Sequence, residues 1–170
     1  MKPRSTPEGG QALVEFAIVI PVFLLILFAI LQLGLLFGAQ NSLTSAVRET
    51  ARYAAPYRVI DASGAQDTCD NFVLGKLQDS LRSNPLTSDT STREIPTIVY
   101  TWRIDPNGDY YVEISVKADY KFPLYVPLVS QFLDGMDGVN DNNLRLSAKE
   151  DMRIENPPLV PPIPSPVTCP

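Results

Sequence analysis

The chain has 170 residues, with 14 lysines and arginines against 19 aspartates and glutamates, a net charge of −5 and no histidine. Absent histidine removes Ser-His-Asp and Cys-His catalysis and histidine-ligated zinc, and the acidic balance without a basic cluster argues against nucleic acid as a partner. The length leaves room for one membrane span and one small domain.

Residues 1–10 read Met-Lys-Pro-Arg-Ser-Thr-Pro-Glu-Gly-Gly, short and polar, with Lys2 and Arg4 set against Glu8. Residues 12–39 are then almost unbroken aliphatic and aromatic positions, and only Glu15 and Gln32 are clearly polar. As a helix this run is about 40 Å long, enough to cross a hydrocarbon core of about 30 Å with some tilt. A buried core helix is the alternative, but the remaining chain is too small to wrap a helix apolar on every face. A cleaved secretory signal fits poorly too, because the run is too long and ends in Phe37-Gly38-Ala39 rather than a small-x-small site. The span is single-pass. Lys2 and Arg4 keep the N-terminus in the cytoplasm, and the rest is extracytoplasmic.

Glu15 stands near the start of the span, where an uncompensated acid at mid-bilayer costs about 2.5 to 3.5 kcal/mol. Two readings stay open. The carboxylate sits among headgroups at a positive helix N-terminus, or the chain is cut after Gly10, so that Gln11 becomes the first residue and Glu15 the fifth. The new amine then lies about 6 Å along the axis from the acid. In a stagger of parallel helices one subunit's amine can meet a neighbour's Glu15 and offset its burial. Pro21, inside the span, removes a helical donor and crowds the carbonyl of Ala17, which predicts a kink or a locally melted turn.

The string Gly10-Gln11-Ala12-Leu13-Val14-Glu15-Phe16-Ala17 with Pro21, followed by Ala46-Val47-Arg48-Glu49-Thr50-Ala51-Arg52-Tyr53-Ala54, resembles the TadE-like family of minor pilins and pseudopilins. These belong to the tight-adherence, or Flp-type, type IV pilus system. The resemblance implies a class III leader cut by a prepilin peptidase between Gly10 and Gln11, with Glu15 and Phe16 serving assembly and recognition. It also implies other pilins and inner-membrane pilus assembly proteins as partners, beside membrane lipid. Phe16 stands where the major Flp pilins have tyrosine, which suits a minor pilin better than a filament-forming subunit.

Beyond the span, Leu43, Ala46, Val47, Thr50, Ala51 and Ala54 keep helical spacing opposite Thr44, Arg48 and Arg52, and Pro56 ends the pattern. Span and extension together predict one rod of about 66 Å. Residues 70–83 predict a short second helix with Asp70 as cap or first-turn acid, and residues 84–96 a loop. A hairpin follows. Ile98, Tyr100, Trp102 and Ile104 alternate on its first strand, and Tyr110, Val112, Ile114, Val116, Ala118, Tyr120 and Phe122 on its second. Asp105-Pro106-Asn107-Gly108-Asp109 between them suits a type I turn closing into a bulge.

Leu144, Leu146, Ala148, Met152 and Ile154 mark a third strand whose alternation Glu150 breaks, by a bulge, an edge or an interaction site. Residues 134–143 form an acid-rich loop in which the EF-hand order fails at Val139, so a solvated loop is favoured over calcium. Residues 156–170 predict an extended polyproline-type tail. Cys69 and Cys169, both beyond the span, are candidates for a disulfide, with free thiols or an intermolecular link as alternatives.

The fold expected is therefore α+β and membrane-anchored: a long N-terminal transmembrane helix running into a small extracytoplasmic domain of one short helix and a three-stranded antiparallel sheet. Its divisions are a leader at 1–10, a span at 11–39, an amphipathic extension at 40–55, a domain at 56–155 and a tail at 156–170. No nucleophile and base signature assembles, and no cofactor or metal is expected. The expected role is a structural subunit that initiates or assembles a pilus in the cytoplasmic membrane. A single-span envelope protein whose sheet binds a protein or glycan is the alternative.

Overall fold

A computed structural model of the chain describes residues 8–56, 68–89, 96–126, 130, 131, 133, 141–154 and 166–169. Most of the expected leader, most of the acid-rich loop at 134–143 and most of the proline-rich tail lie outside the described residues.

Helix α1 (Glu8–Ala54) is continuous through Pro21, so the melted turn expected there is not found. A proline inside a helix deletes one donor, and the bonds on either side suffice to carry the helix past it. Burial on α1 begins at Gln32 and recurs at Ala39, Leu43, Ala46, Val47, Thr50, Ala51 and Ala54, intervals of three and four that draw one stripe along the rod. Thr50 is buried because its hydroxyl donates to Ala46 O at 2.7 Å, leaving no polar group unpaired.

The second helical segment opens differently from the expected capped start. Cys69–Val73 is a π-helical turn, closed by Leu74 N–H donating to Cys69 O, and α2 (Leu74–Arg82) continues from it. Asp70 lies within the π turn and not at the cap. That position belongs to Thr68, whose side chain makes no capping bond. Leu77 and Leu81, one turn apart, face the core, and α2 packs on α1.

The sheet has four strands where three were expected: β1 (Thr97–Ile104), β2 (Tyr110–Pro123), β3 (Asn143–Arg153) and β4 (Val167–Cys169), in the order β3-β2-β1-β4 and all antiparallel. β4 comes from the segment expected to be extended tail. Its three residues pair with Ile98–Tyr100 of β1. On β2 burial alternates strictly from Val112 to Phe122, and this face meets α1. The β1–β2 connection is the expected turn. Gly108 N–H donates to Asp105 O at 3.0 Å, Asp105 N–H donates to Asp109 O at 2.9 Å, and Gly108 takes φ +90°, a conformation open to glycine. The inward set ends sooner than the alternation implies, because Ile104 and Tyr110 at the hairpin tip are exposed.

β3 contains no bulge. Its register against β2 runs unbroken from Asn143↔Pro123 to Arg153↔Glu113, with Glu150 opposite Val116. Glu150 therefore shares the inner face with Leu146, Ala148 and Met152 on an edge strand. An inward charge of this kind deters pairing with other chains.

Candidate functional site

The leading part of α1 touches nothing else in the described structure. Residues 10–31 are exposed apart from the half-buried Ala29, and the most apolar window of the helix is 0% buried. Leu13, Phe16, Ile18, Val22, Phe23, Ile26 and Ile30 point outward on every side. At the helical rise this bare segment is about 33 Å long, which matches the hydrocarbon thickness of a bilayer. The described chain thus has one helix long and apolar enough to anchor it in a membrane as a single pass.

Gly10, Gln11, Glu15, Phe16 and Pro21 all lie on this bare segment. Among the described residues nothing stands within 4 Å of where a Cβ on Gly10 would be, and the Gly10–Gln11 peptide lies within helix α1. Gln11 Nε2 donates to Glu15 Oε1 at 3.1 Å, one helical turn apart. This places the residue at the expected cut one turn from the acid. In the single chain Glu15 has no cationic partner among the described residues. An anionic side chain on an otherwise apolar rod is costly until a cation reaches it.

The domain's grip on the rod starts at a residue to which sequence reasoning gave no role. Gln32 is 3% exposed, its Nε2 donates to Pro123 O at 3.4 Å, and its Oε1 accepts Tyr125 N–H at 3.2 Å. One amide thereby satisfies the backbone at the lower end of β2, where no further strand pairing is available. The signal was present in the sequence as the lone amide inside the apolar run. Two turns further up, Gln40 Nε2 donates to Ser147 O at 3.0 Å on β3.

Two ion pairs continue the attachment. Arg48 Nε lies 3.4 Å from Glu150 Oε2, and Lys76 Nζ on α2 lies 2.6 Å from Glu49 Oε1. Lys76 also stands 5.8 Å from the centre of the Tyr53 ring. The Lys76 ammonium holds the Glu49 carboxyl below its usual range, and Glu49 in turn raises Lys76. Both pairs are largely solvated, so each orients more than it stabilises. Between α1 and α2 runs a shallow groove lined by Gly38, Asn41, Ser42, Ser45, Glu49 and Ser80. Gly38 is close-packed, since a Cβ there would stand 2.9 Å from Leu86 Cδ1.

Cys69 and Cys169 are joined by a disulfide with Cα atoms 6.2 Å apart, tying the π turn before α2 to β4. The bond closes a separation of 100 residues. Tyr100 is fully buried on the inner face with its phenol pushed well above the ordinary value by burial, and its Oη has no partner among the described residues. No group of three or more acidic or cysteine side chains that could hold a metal occurs among the described residues. Asp141, at the end of the acid-rich loop, is paired with Lys121 at 3.2 Å.

Residues 10–52 match the family model described as TadE-like protein, in agreement with the resemblance carried by the sequence. The match covers the rod and leaves the sheet outside it. No curated protein and no solved structure matches the chain.

Proposed function

We propose that this chain, TadE-like over residues 10–52, is a minor pilin or pseudopilin: a membrane-inserted structural subunit that initiates or assembles a Tad-type surface pilus. The observation that carries this reading is the bare apolar rod with Glu15 on it, one helical turn from Gln11. A lone subunit gains at most the favourable helix N-terminus from this acid, whereas an assembly of parallel rods can also pair it with a cation. Removal of the leader would free an α-amine at Gln11, and that amine on one subunit would neutralise Glu15 on the next. Phe16, 62% exposed beside Glu15, would pack between the same rods.

In this reading the N-terminus faces the cytoplasm, the sheet domain lies outside the cytoplasmic membrane, and the partners are a prepilin peptidase, other pilins and the inner-membrane assembly proteins. The protein acts by holding neighbours and not by turning over a substrate. Mass analysis of the N-terminus of the natural protein tests it. A chain beginning at Gln11 supports the pilin, and one that retains Met1 supports a plain envelope anchor whose sheet binds a partner.

A further inference from the structure

We infer that the lower end of the sheet, around Phe122 to Val126, is a lipid-binding surface that seats the domain in the outer boundary of the bilayer. The inference rests on the reading that α1 spans a membrane.

The argument is one of height along the rod. On the sheet side, protein contact begins at Gln32, which holds Pro123 O and Tyr125 N–H. On the other sides of the same turns the rod stays apolar and exposed, through Leu33 and Leu35 as far as Phe37, which is 65% exposed. Phe37 stands about 7 Å above Gln32 along the axis. A bilayer that covers Phe37 on one side must therefore meet the Pro123 to Tyr125 backbone on the other, about 5 to 10 Å below the apolar boundary, the depth at which interfacial segments settle.

The chemistry of this end fits that depth. Residues 122–126 read Phe-Pro-Leu-Tyr-Val, with no charged residue; Phe122 and Leu124 turn into the core, and Pro123, Tyr125 and Val126 form the outward part. Tyr125 is 68% exposed and stands edge-on to Phe122 at 6.5 Å, an apolar ring with a polar tip at the level where tyrosine concentrates in membrane proteins. The nearest described charges are the Lys121–Asp141 pair at 3.2 Å; Leu124 N–H donates to Asn142 O, which sets Asp141 level with Tyr125, where Lys121 neutralises it, as a charge at headgroup depth requires. Gln32 also removes the obstacle to immersion, since it satisfies the backbone groups that lipid could not. The opposite end of β2, at the hairpin tip with Asp105, Asn107 and Asp109, is polar and about 40 Å away.

Depth-dependent fluorescence quenching tests the inference on the full chain, one copy per phosphatidylcholine nanodisc. Tyr125→Trp, Asn107→Trp and Phe23→Trp are each made with Trp102→Phe, so that one indole reports. The lipids carry a spin label either near the carbonyl or near the acyl-chain end. The indole at the Tyr125 site should be quenched by the shallow label at least about twofold more than the indole at the hairpin tip, and should resist aqueous iodide. Equal quenching at the two sites, or iodide quenching at the Tyr125 site, overturns the inference. Protection from both lipid and iodide overturns it too, because a second copy or the chain's own residues then cover the patch. The Phe23 site separates the two claims. If it is quenched by the deep label while the Tyr125 site is not, the span stands and the lipid seat falls. If it is not, both fall.

Discussion

Arg48 Nε meets Glu150 Oε2 at 3.4 Å, so the residue that interrupts the alternation of β3 faces the rod and answers a cation on it. Arg48 stays largely exposed, and a solvated pair of this geometry contributes little. Glu150→Gln should therefore shift the unfolding free energy by less than about 1 kcal/mol. Denaturant titration of the detergent-solubilised protein, followed by Trp102 fluorescence, measures this. A larger loss would mean that the pair fixes the position of β3 on α1.

Gln32 belongs to a different class, because its amide is buried and both its partners are backbone. Replacing it by leucine leaves Tyr125 N–H without an acceptor and Pro123 O without a donor, at a cost of about 1 to 3 kcal/mol. The loss should be local. Hydrogen exchange at Tyr125 should accelerate in Gln32→Leu while exchange at Ile114 and Val116 in the centre of β2 stays slow.

The disulfide between Cys69 and Cys169 holds a three-residue strand that has little else to keep it. Removing both sulfurs with Cys69→Ser and Cys169→Ser should cost about 2 to 4 kcal/mol, with an upper bound near 5 for so long a loop. Exchange at Val167 and Thr168 should rise first. Alkylation should label the wild-type chain only after reduction.

Acid should weaken the outer face of the sheet. Lys121 and the Asn143 backbone hold the Asp141 carboxyl below its ordinary 3.8. The Ser115 hydroxyl, and then Lys149, do the same for Asp151. At Asp119 burial opposes the charge, but Ser147, Lys117 and Arg145 together outweigh it. Each acid is thus easier to ionise in the folded chain than in the unfolded one. Its contribution is complete above the ordinary value and is lost as pH falls through the lower folded value. Unfolding midpoints should be flat from pH 7 to about 5 and drop below about 4.

Much of this architecture could be read from spacing alone. The strict alternation of β2 and the three-and-four stripe from Leu43 to Ala54 each belong to one element packed on one face, so the period survives in the sequence. What escaped depended on distant partners. β4 exists because Val167 to Cys169 lie along Ile98 to Tyr100, and a three-residue strand after a proline-rich run has no period of its own. Glu150 could be seen to break a pattern, but Arg48 as its reason lies 102 residues away. Gln32 read as an exception in a span, and its backbone partners are more than 90 residues off. At the membrane site Gly10, Gln11, Glu15, Phe16 and Pro21 are neighbours in sequence, and the structure adds the Gln11–Glu15 bond and the absence of any covering protein among the described residues.

Glu15 supplies the sharpest test of the proposed assembly role. If its carboxylate serves only as a solvated group at the helix start, Glu15→Ala changes neither membrane insertion nor the behaviour of neighbouring subunits. If it receives the freed amine of a neighbour, the same substitution leaves that amine unpaired among apolar rods, while insertion proceeds because the mutant helix is more apolar than before. The loss of a charged partner in such surroundings corresponds to about 3 to 5 kcal/mol, enough to reduce incorporation more than a hundredfold. Glu15→Asp, which retains the charge on a side chain shorter by one methylene, should recover part of it. The measurement is co-purification of the mature chain with its pilus partners from cells in which cleavage before Gln11 has been verified. Wild-type recovery of the Glu15→Ala chain would leave the acid with a local role only.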